Sequence, residues 1–285
     1  MGMVAEDHND PEESSNGSDK IVGGSLTGMG TFHAHLNAIQ RVAREKIASA
    51  LILEETVDWD VNLKMQLKGF ASGVKLMQGS NATVESPYGD RWDLLWLGHC
   101  GMKCATDSTI LLTPHDITAV PSRYLDFYQR EPPAGVKNQM RLACQVEEVV
   151  GSLAYAITFE GAQKLHAALS VVIAKEENLD VVVSRLCRAG TLKCFSSYPS
   201  LLGGRNPGHK LAQNNPKDAD FNEECSPGGI MFSTLTNLDR PSNDTVTVRA
   251  AYHDVVVQEI DPDQFEIPHA MLKWRDGQGE HELAL

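Results

Sequence analysis

The sequence has 285 residues, 42% of them hydrophobic and 22% charged, so it can bury a substantial core and is not expected to be disordered as a whole. Its formal net charge of -13 disfavours binding to nucleic acids and anionic membranes, because their phosphate groups repel an acidic chain. The sequence contains no run of about 18 apolar residues, so it predicts no membrane span.

The chain begins with residues 1–28, which are rich in Glu, Asp, Ser, Asn and Gly and are expected to be disordered. Its start lacks the basic residues and the apolar stretch of a signal peptide, which predicts no export by the ordinary route. Three N-x-[ST] sequons, at Asn16, Asn81 and Asn243, are compatible with a secreted relative, although one or two arise by chance.

Residues 29–210 are expected to form the main domain, which opens with a helix and a strand. Thr31 can cap a helix that runs to about Lys46 with apolar residues on one face. Residues 48–57 have a continuously apolar centre, as in a strand that is buried on both faces. A second helix is predicted after this strand, because apolar side chains recur there at helical spacing. They are Leu63, Leu67, Phe70, Val74 and Met77.

Strands and helices continue to alternate beyond this point. Apolar strands are predicted at 92–97, 154–158 and 192–196, and helices from about residue 160 and over residues 180–188. The alternation predicts an α/β fold with a mostly parallel sheet that is flanked by helices on both faces. Residues 211–285 are expected to form a loop-rich C-terminal extension, whose alternating apolar residues suggest a peripheral hairpin or an unrelated extension.

Acidic side chains cluster where the 48–57 strand ends, at Glu54, Glu55, Asp58 and Asp60. Ligands of open α/β sheets bind beyond the carboxyl ends of the strands, and carboxylate oxygens suit Mn²⁺ or Mg²⁺. Such an ion would offset the negative charge that develops on a diphosphate leaving group. The alternative is that these residues begin the next helix, where they complement its dipole.

Other polar residues have weaker signals. Asp180, at a predicted helix start, is either an N-cap or a general base that deprotonates an acceptor hydroxyl. His99 and His209 lie in predicted loops and are expected to be surface histidines. The six cysteines are too sparse for a disulfide scaffold and include no C-x-x-C pair, so reduced, buried thiols are expected and a zinc site is not.

Six segments, which occur in one order, resemble glycosyltransferase family 25, the lipooligosaccharide and procollagen galactosyltransferase group. They are Gly30–Leu36 (GTFHAHL), Leu51–Asp60 (LILEETVDWD), Trp92–Gly101 (WDLLWLGHCG), Ala154–Leu165 (AYAITFEGAQKL), Asn178–Asp180 (NLD) and Cys194–Pro199 (CFSSYP). The resemblance covers about residues 28–210, and its details at 58–60 and 98–101 are most similar to fungal members.

This resemblance implies a GT-A-like, Rossmann-type fold and the transfer of a hexose from a UDP-sugar donor to a hydroxyl of a glycan or protein acceptor, with inversion and with Mn²⁺. By the same resemblance, Glu54 and Glu55 would bind the cofactor and the metal, and Asp180 would be the catalytic base. Asp58 would be an auxiliary metal ligand, because Asp58-Trp59-Asp60 is a literal D-x-D pattern, although the family's metal position lies upstream of it. Eukaryotic members act in the secretory pathway, so the resemblance implies that compartment.

Two departures from the family pattern bear on activity. The family's acidic motif reads Leu-Glu-Asp-Asp, whereas this chain has Glu55 and Thr56 at the last two positions, so Mn²⁺ affinity should fall unless Asp58 or Asp60 substitutes. The family's first strand–helix–strand unit, which helps to hold the nucleotide, has no counterpart in residues 1–28, which predicts a truncated front. The hypotheses are therefore an active glycosyltransferase, a catalytically impaired relative that binds a glycan or a protein, and a fragment with an exposed sheet edge that aggregates.

Overall fold

The fold is seen in a computed structural model, which describes residues 26–79, 85–106, 108–125, 133, 136–137, 139–172, 178–204, 229–238, 247–261, 271–275 and 278–283. The predicted lead up to residue 25, the three sequons and His209 lie outside these residues. Within them, no helix is long and apolar enough to cross a membrane.

The helices are α1 (Leu26–Glu45), α2 (Leu63–Met77), α3 (Phe159–Val172), α4 (Leu179–Arg188) and α5 (Thr234–Leu238), and a 3-10 turn covers Ser122–Tyr124. The strands are β1 (Ser49–Leu53), β2 (Val57–Trp59), β3 (Leu94–Gly98), β4 (Gly101–Cys104), β5 (Ile110–Thr113), β6 (Arg141–Val150), β7 (Ala154–Thr158), β8 (Cys194–Tyr198), β9 (Leu202–Gly204), β10 (Val248–Arg249), β11 (Glu259–Ile260), β12 (Met271–Arg275) and β13 (Gln278–Leu283). The α/β class is confirmed, and α1 to α4 lie where the apolar periodicity predicts helices.

The main sheet is mixed and mostly antiparallel, so the prediction of a mostly parallel sheet is wrong. Its order is β1-β7-β3-β8-β6-β5-β12-β13, with β4 paired to β6, and among the described strands the β3–β8 pair alone is parallel. Two reversed strands are the main reason: β7 lies between β1 and β3 and runs opposite to both, and β6 runs opposite to its neighbours β8 and β5. Alternation of strands and helices along a sequence does not reveal such an inserted, reversed strand.

The reversal has a consequence for function. Because β7 is antiparallel to both of its neighbours, β1 and β3 point in the same direction, and β8 is parallel to β3. The carboxyl ends of β1, β3 and β8 therefore meet at one edge of the sheet. We refer to this side of the sheet, where Glu54, Gly98 and Tyr198 lie at the ends of their strands, as the carboxyl edge.

Helices cover both faces of the sheet centre. On one face, α1 and α3 pack against β3 and β7 through residues such as Leu94, Trp96 and Tyr155. On the other face, Phe70 and Val74 of α2 contact an apolar cluster that includes Leu95 and Leu97. Strand β1 departs from the expectation of burial on both faces: it is the terminal strand, and Leu51 and Leu53 remain 55% and 44% exposed.

Helix α3 is fixed to the start of β3 by a close polar contact. Lys164 donates to both carboxylate oxygens of Asp93, each at 2.8 Å, and Asp93 also accepts from the Lys193 backbone amide. Gly161 lies so near that a Cβ there would be 2.4 Å from the Asp93 carbonyl oxygen. Two of the segments that resemble the glycosyltransferase family therefore meet here for packing reasons.

Part of the predicted C-terminal extension joins this domain. Strand β12 pairs with β5 and so extends the main sheet, while β10 and β11 form a separate two-stranded sheet. Residues 229–238 also contact the domain, because the backbone amide of Phe232 donates to Asp60.

The cysteines of the described residues are oxidised, so the expectation of reduced thiols is wrong for them. Cys104–Cys144 joins β4 to β6, Cys187–Cys194 joins the end of α4 to the start of β8, and Cys100 is also disulfide-bonded. None of the cysteines in the described ranges is a free thiol. Disulfides of this kind persist in oxidising compartments.

Candidate functional site

Glu54 stands at the carboxyl end of β1 and is half-buried at 28% side-chain exposure. One of its oxygens, Oε1, accepts from the Ser152 hydroxyl at 2.9 Å and lies 3.3 Å from His35 Nε2. These partners hold the pKa of Glu54 below its usual range, first through the His35 hydrogen bond and then through Ser152, against the opposing effect of burial. The other oxygen, Oε2, has no hydrogen-bond partner among the described residues, so this carboxylate is charged, oriented and still able to bind a ligand.

The side-chain orientation of Glu54 is supported by two buried residues, His35 and Tyr155. His35 lies on α1 at 5% exposure, and its Nδ1 is 3.1 Å from the hydroxyl of Tyr155 on β7. With Glu54 ionised, His35 Nε2–H donates to the carboxylate, and Nδ1 of the neutral tautomer accepts from the Tyr155 hydroxyl. Tyr155 in turn stacks on Trp96, with 5.4 Å between the ring centroids. This stacking anchors the hydrogen bonds from Tyr155 through His35 to Glu54 in the hydrophobic core.

Asp180 is brought to the same corner through the turn between β6 and β7. Its Oδ2 accepts from the Gly151 backbone amide at 2.8 Å, one residue from Ser152, which donates to Glu54. It is not an N-cap, because Asn178 occupies that position and Asp180 lies in the first turn of α4. Each oxygen accepts one backbone hydrogen bond and keeps a lone pair, so a role as proton acceptor remains chemically open.

Glu55 is exposed, next to Glu54, and available to a ligand. Asp58, the predicted auxiliary metal ligand, is buried and hydrogen-bonded to the start of α5. It is 6% exposed, its Oδ2 accepts from the Ser233 hydroxyl, and its Oδ1 accepts from the backbone amides of Trp59 and Leu235. Asp58 therefore binds the start of α5 and shares no hydrogen-bond partner with Glu54, and its role as an auxiliary metal ligand stays a prediction.

Asp60, like Asp58, binds the segment 229–238. It is 1% exposed and accepts from the Phe232 amide at 2.9 Å and from the backbone and side chain of Asn62. Burial raises the pKa of Asp60 to about 6, and these hydrogen bonds only partly oppose the rise. The D-x-D pattern at 58–60 therefore holds residues 229–238 against the domain.

The raised pKa gives a testable pH dependence. A carboxyl whose pKa is higher in the folded than in the unfolded state favours folding when protonated, so this contribution falls as pH rises from about 4 to about 6. We expect Asp60→Asn to cost most near pH 4 and less above pH 7, with a difference of up to about 3 kcal/mol. Denaturant unfolding of both proteins between pH 4 and pH 8 measures this, and a cost that does not vary with pH would contradict the assignment.

A buried ion pair near the same edge was not found from the sequence. Arg141, the first residue of β6, donates from Nε to Asp116 Oδ2 at 2.7 Å and from a terminal nitrogen to the Pro199 carbonyl at 2.8 Å. Both side chains are almost fully buried, at 7% and 1% exposure. The available signal was a lone arginine at the start of an apolar stretch, but its partner lies 25 residues away in a segment without clear periodicity.

A cleft of about 150 Å³ opens beside this pair at the carboxyl end of β8. It is lined by Val120, Ser122, Val136, Lys137, Gln139, Met140, Tyr198 and Pro199. Neither Glu54 nor Asp180 lines it. In the strand order, β1 and β8 are three strand spacings apart, or roughly 14 Å, so only an elongated ligand could contact both Glu54 and the cleft.

His99 is not a surface histidine, contrary to expectation. It follows β3 at the carboxyl edge, is fully buried, and has Nε2 2.9 Å from the Ser197 carbonyl oxygen. Burial lowers its pKa to about 4, so it is neutral at physiological pH and ties β3 to β8. The sequence placed it correctly after a strand but could not reveal what covers it.

These features define an α/β protein with a mixed, mainly antiparallel sheet and two anchored carboxylates, Glu54 and Asp180, at one corner. Within the described ranges, no group of three or more His, Cys, Asp or Glu side chains is placed to hold a metal ion. Comparison with known proteins assigns the chain to no family: no family model, no curated protein and no solved structure matches it.

Proposed function

We propose that this chain is a glycosyltransferase-like protein that transfers a hexose from a UDP-sugar to a hydroxyl acceptor, with Glu54 as the residue on which donor binding depends. The observation that carries the proposal is the state of the Glu54 side chain. It is an ionised carboxylate at the end of a strand, held by His35 and Ser152, with one oxygen left for a ligand. A GT-A-like fold belongs to the proposal, and the shared direction of β1, β3 and β8 supports it.

The available donors fit a metal that arrives with the nucleotide. Glu54 and Glu55 supply two carboxylates, and Asp58 supplies none because its oxygens bind the start of α5. Divalent ions in nucleotide sites are commonly held by one or two carboxylates together with substrate phosphates, which is a set that two glutamates can complete. When bound, Mn²⁺ would offset the negative charge on the departing UDP.

In this proposal the remaining chemistry belongs to the turn between β6 and β7. Asp180, held by the Gly151 amide, accepts the proton of the acceptor hydroxyl as the new bond forms. Ser152 keeps Glu54 on the donor side of the same turn. Asp180 is hydrogen-bonded to Gly151, and Glu54 is hydrogen-bonded to the next residue, Ser152. One short, rigid segment therefore sets the spacing between the sugar donor and the acceptor.

The test is UDP release from UDP-galactose or UDP-glucose with Mn²⁺, combined with calorimetry of UDP binding. We expect Glu54→Gln to weaken Mn²⁺-dependent UDP binding by at least about 10–100-fold. Losing a residue that only orients a metal ligand already lowers metal affinity by this factor, and Glu54 would be the ligand itself. The matched control is Glu45→Gln, which changes an exposed glutamate just before the other end of β1 and should have no effect. A wild-type chain that neither releases UDP nor binds it with Mn²⁺ would reject the proposal.

One observation favours the alternative, a glycan-binding module without catalysis. Trp59 is 40% exposed, while Asp58 and Asp60 on either side of it are buried and anchored. A rigid, exposed indole can pack against the apolar face of a sugar ring. Glycan binding that needs neither UDP nor Mn²⁺ and is lost in Trp59→Ala, but not in Glu54→Gln, would select this function instead.

A further inference from the structure

We propose that two copies of this chain pair through the outer edge of β1, in antiparallel orientation, to form one continuous sheet across a two-fold axis. This inference does not depend on the proposed function. It rests on the backbone of β1, on the exposed leucines of that strand and on the charges at its two ends.

The backbone of β1 has an open side. Pairing with β7 uses the even-numbered residues, because the Phe159 amide donates to the Ala48 carbonyl and the Glu54 amide donates to the Leu153 carbonyl. Backbone groups alternate in direction along a strand, so those of Ser49, Leu51 and Leu53 point outward. No described residue pairs with them, and β1 is the terminal strand of the sheet.

Strand β1 carries none of the usual protections of an edge strand. It reads Ser-Ala-Leu-Ile-Leu, without a charge, a proline or a glycine. The side chains of Leu51 and Leu53 lie on one face of the sheet and are 55% and 44% exposed. Their neighbours on β7 are the small residues Ala156 and Ala154. A second copy of β1 would extend the apolar surface over these leucines and satisfy the outward backbone groups.

The charges beside β1 select the orientation. Lys46 precedes the strand and Glu54 and Glu55 follow it, so the strand is positive at its start and negative at its end. With Leu51 opposite Leu51 of the second copy, Ser49 faces Leu53 of that copy. The start of each strand, with Lys46 before it, therefore lies beside the acidic end of the other strand. A parallel pair would instead place like charges together. The antiparallel register also forms up to about six backbone hydrogen bonds.

The experiment measures self-association of the full chain by sedimentation and multi-angle light scattering over a concentration series. We expect a reversible dimer in the wild type. In Leu51→Lys, two lysines meet at the two-fold axis, so the dissociation constant should rise by more than about 100-fold. Leu76→Lys, which changes a 44% exposed leucine on α2, is the matched control and should leave the dimer intact.

Charge exchange gives a second readout. Lys46→Glu and Glu55→Lys should each weaken the dimer by on the order of tenfold, and the double variant should restore it. Within one chain the five residues of β1 alone separate these positions by roughly 16 Å, so restoration requires contact between copies. A wild type that stays monomeric, a dimer that survives Leu51→Lys, or a monomer whose outward β1 amides are already protected from hydrogen exchange would overturn the proposal.

Discussion

Replacing Asp116 with alanine is expected to lower the free energy of unfolding by about 3–5 kcal/mol, because it leaves the buried Arg141 guanidinium without its counter-charge. Asp116 Oδ2 lies 2.7 Å from Arg141 Nε, and Oδ1 accepts from the Thr118 amide and hydroxyl, so these donors also lose their acceptor. Denaturant unfolding monitored by Trp fluorescence measures the change.

A matched control separates burial from simple ion pairing. Arg249 Nε and Glu259 also lie 2.7 Å apart, but both side chains are exposed, so Glu259→Ala should cost less than about 1 kcal/mol. Adding Arg141→Met to Asp116→Ala should recover part of the loss, since it removes the unpaired buried charge. An Asp116→Ala variant that loses no more than the Glu259→Ala control would show that the pair is dispensable.

The same pair bears on the cleft at the carboxyl end of β8. Arg141 also donates to the Pro199 carbonyl, and Pro199 lines the cleft next to Val120 and Met140. A folded but destabilised Asp116→Ala protein should therefore lose affinity for any ligand of that cleft. Glu54, three strand spacings away, should keep its hydrogen bonds with His35 and Ser152.

Gly161→Ala is the second substitution with a large expected cost, about 2–3 kcal/mol. Its Cβ would sit 2.4 Å from the Asp93 carbonyl oxygen, so α3 must move away from β3 and weaken the contact between Lys164 and Asp93. Thermal and denaturant unfolding should both show the loss.

Gly69→Ala provides the opposite expectation for the same chemical change. Gly69 lies within α2, and a Cβ there meets no heavy atom within 4 Å. This alanine should stabilise the protein by about 0.5–1 kcal/mol, because alanine has a higher helix propensity than glycine. If both alanines have the same effect, close packing at Gly161 does not govern the docking of α3.

The candidate site was only partly predictable. Glu54 was identified because acidic residues after an apolar strand are a local pattern, and the structure places it at a strand end with one oxygen open to a ligand. Asp58 fits that pattern equally well, but it is bound by Ser233, 175 residues later in the chain. His35 and Ser152, which orient Glu54, belong to other elements and gave no signal of this role.

The sequence by itself determined the elements with strong local spacing, namely helices α1 to α4 and the apolar centres of β1, β3, β7 and β8, because helical and strand periodicities are properties of neighbouring residues. The tertiary structure decided the direction of β7, the edge position of β1, the Cys104–Cys144 disulfide and the pairing of Arg141 with Asp116. Each of these depends on contacts between residues far apart in the chain. The free energy of such contacts comes from burial and complementary charge after folding, so no local pattern encodes them.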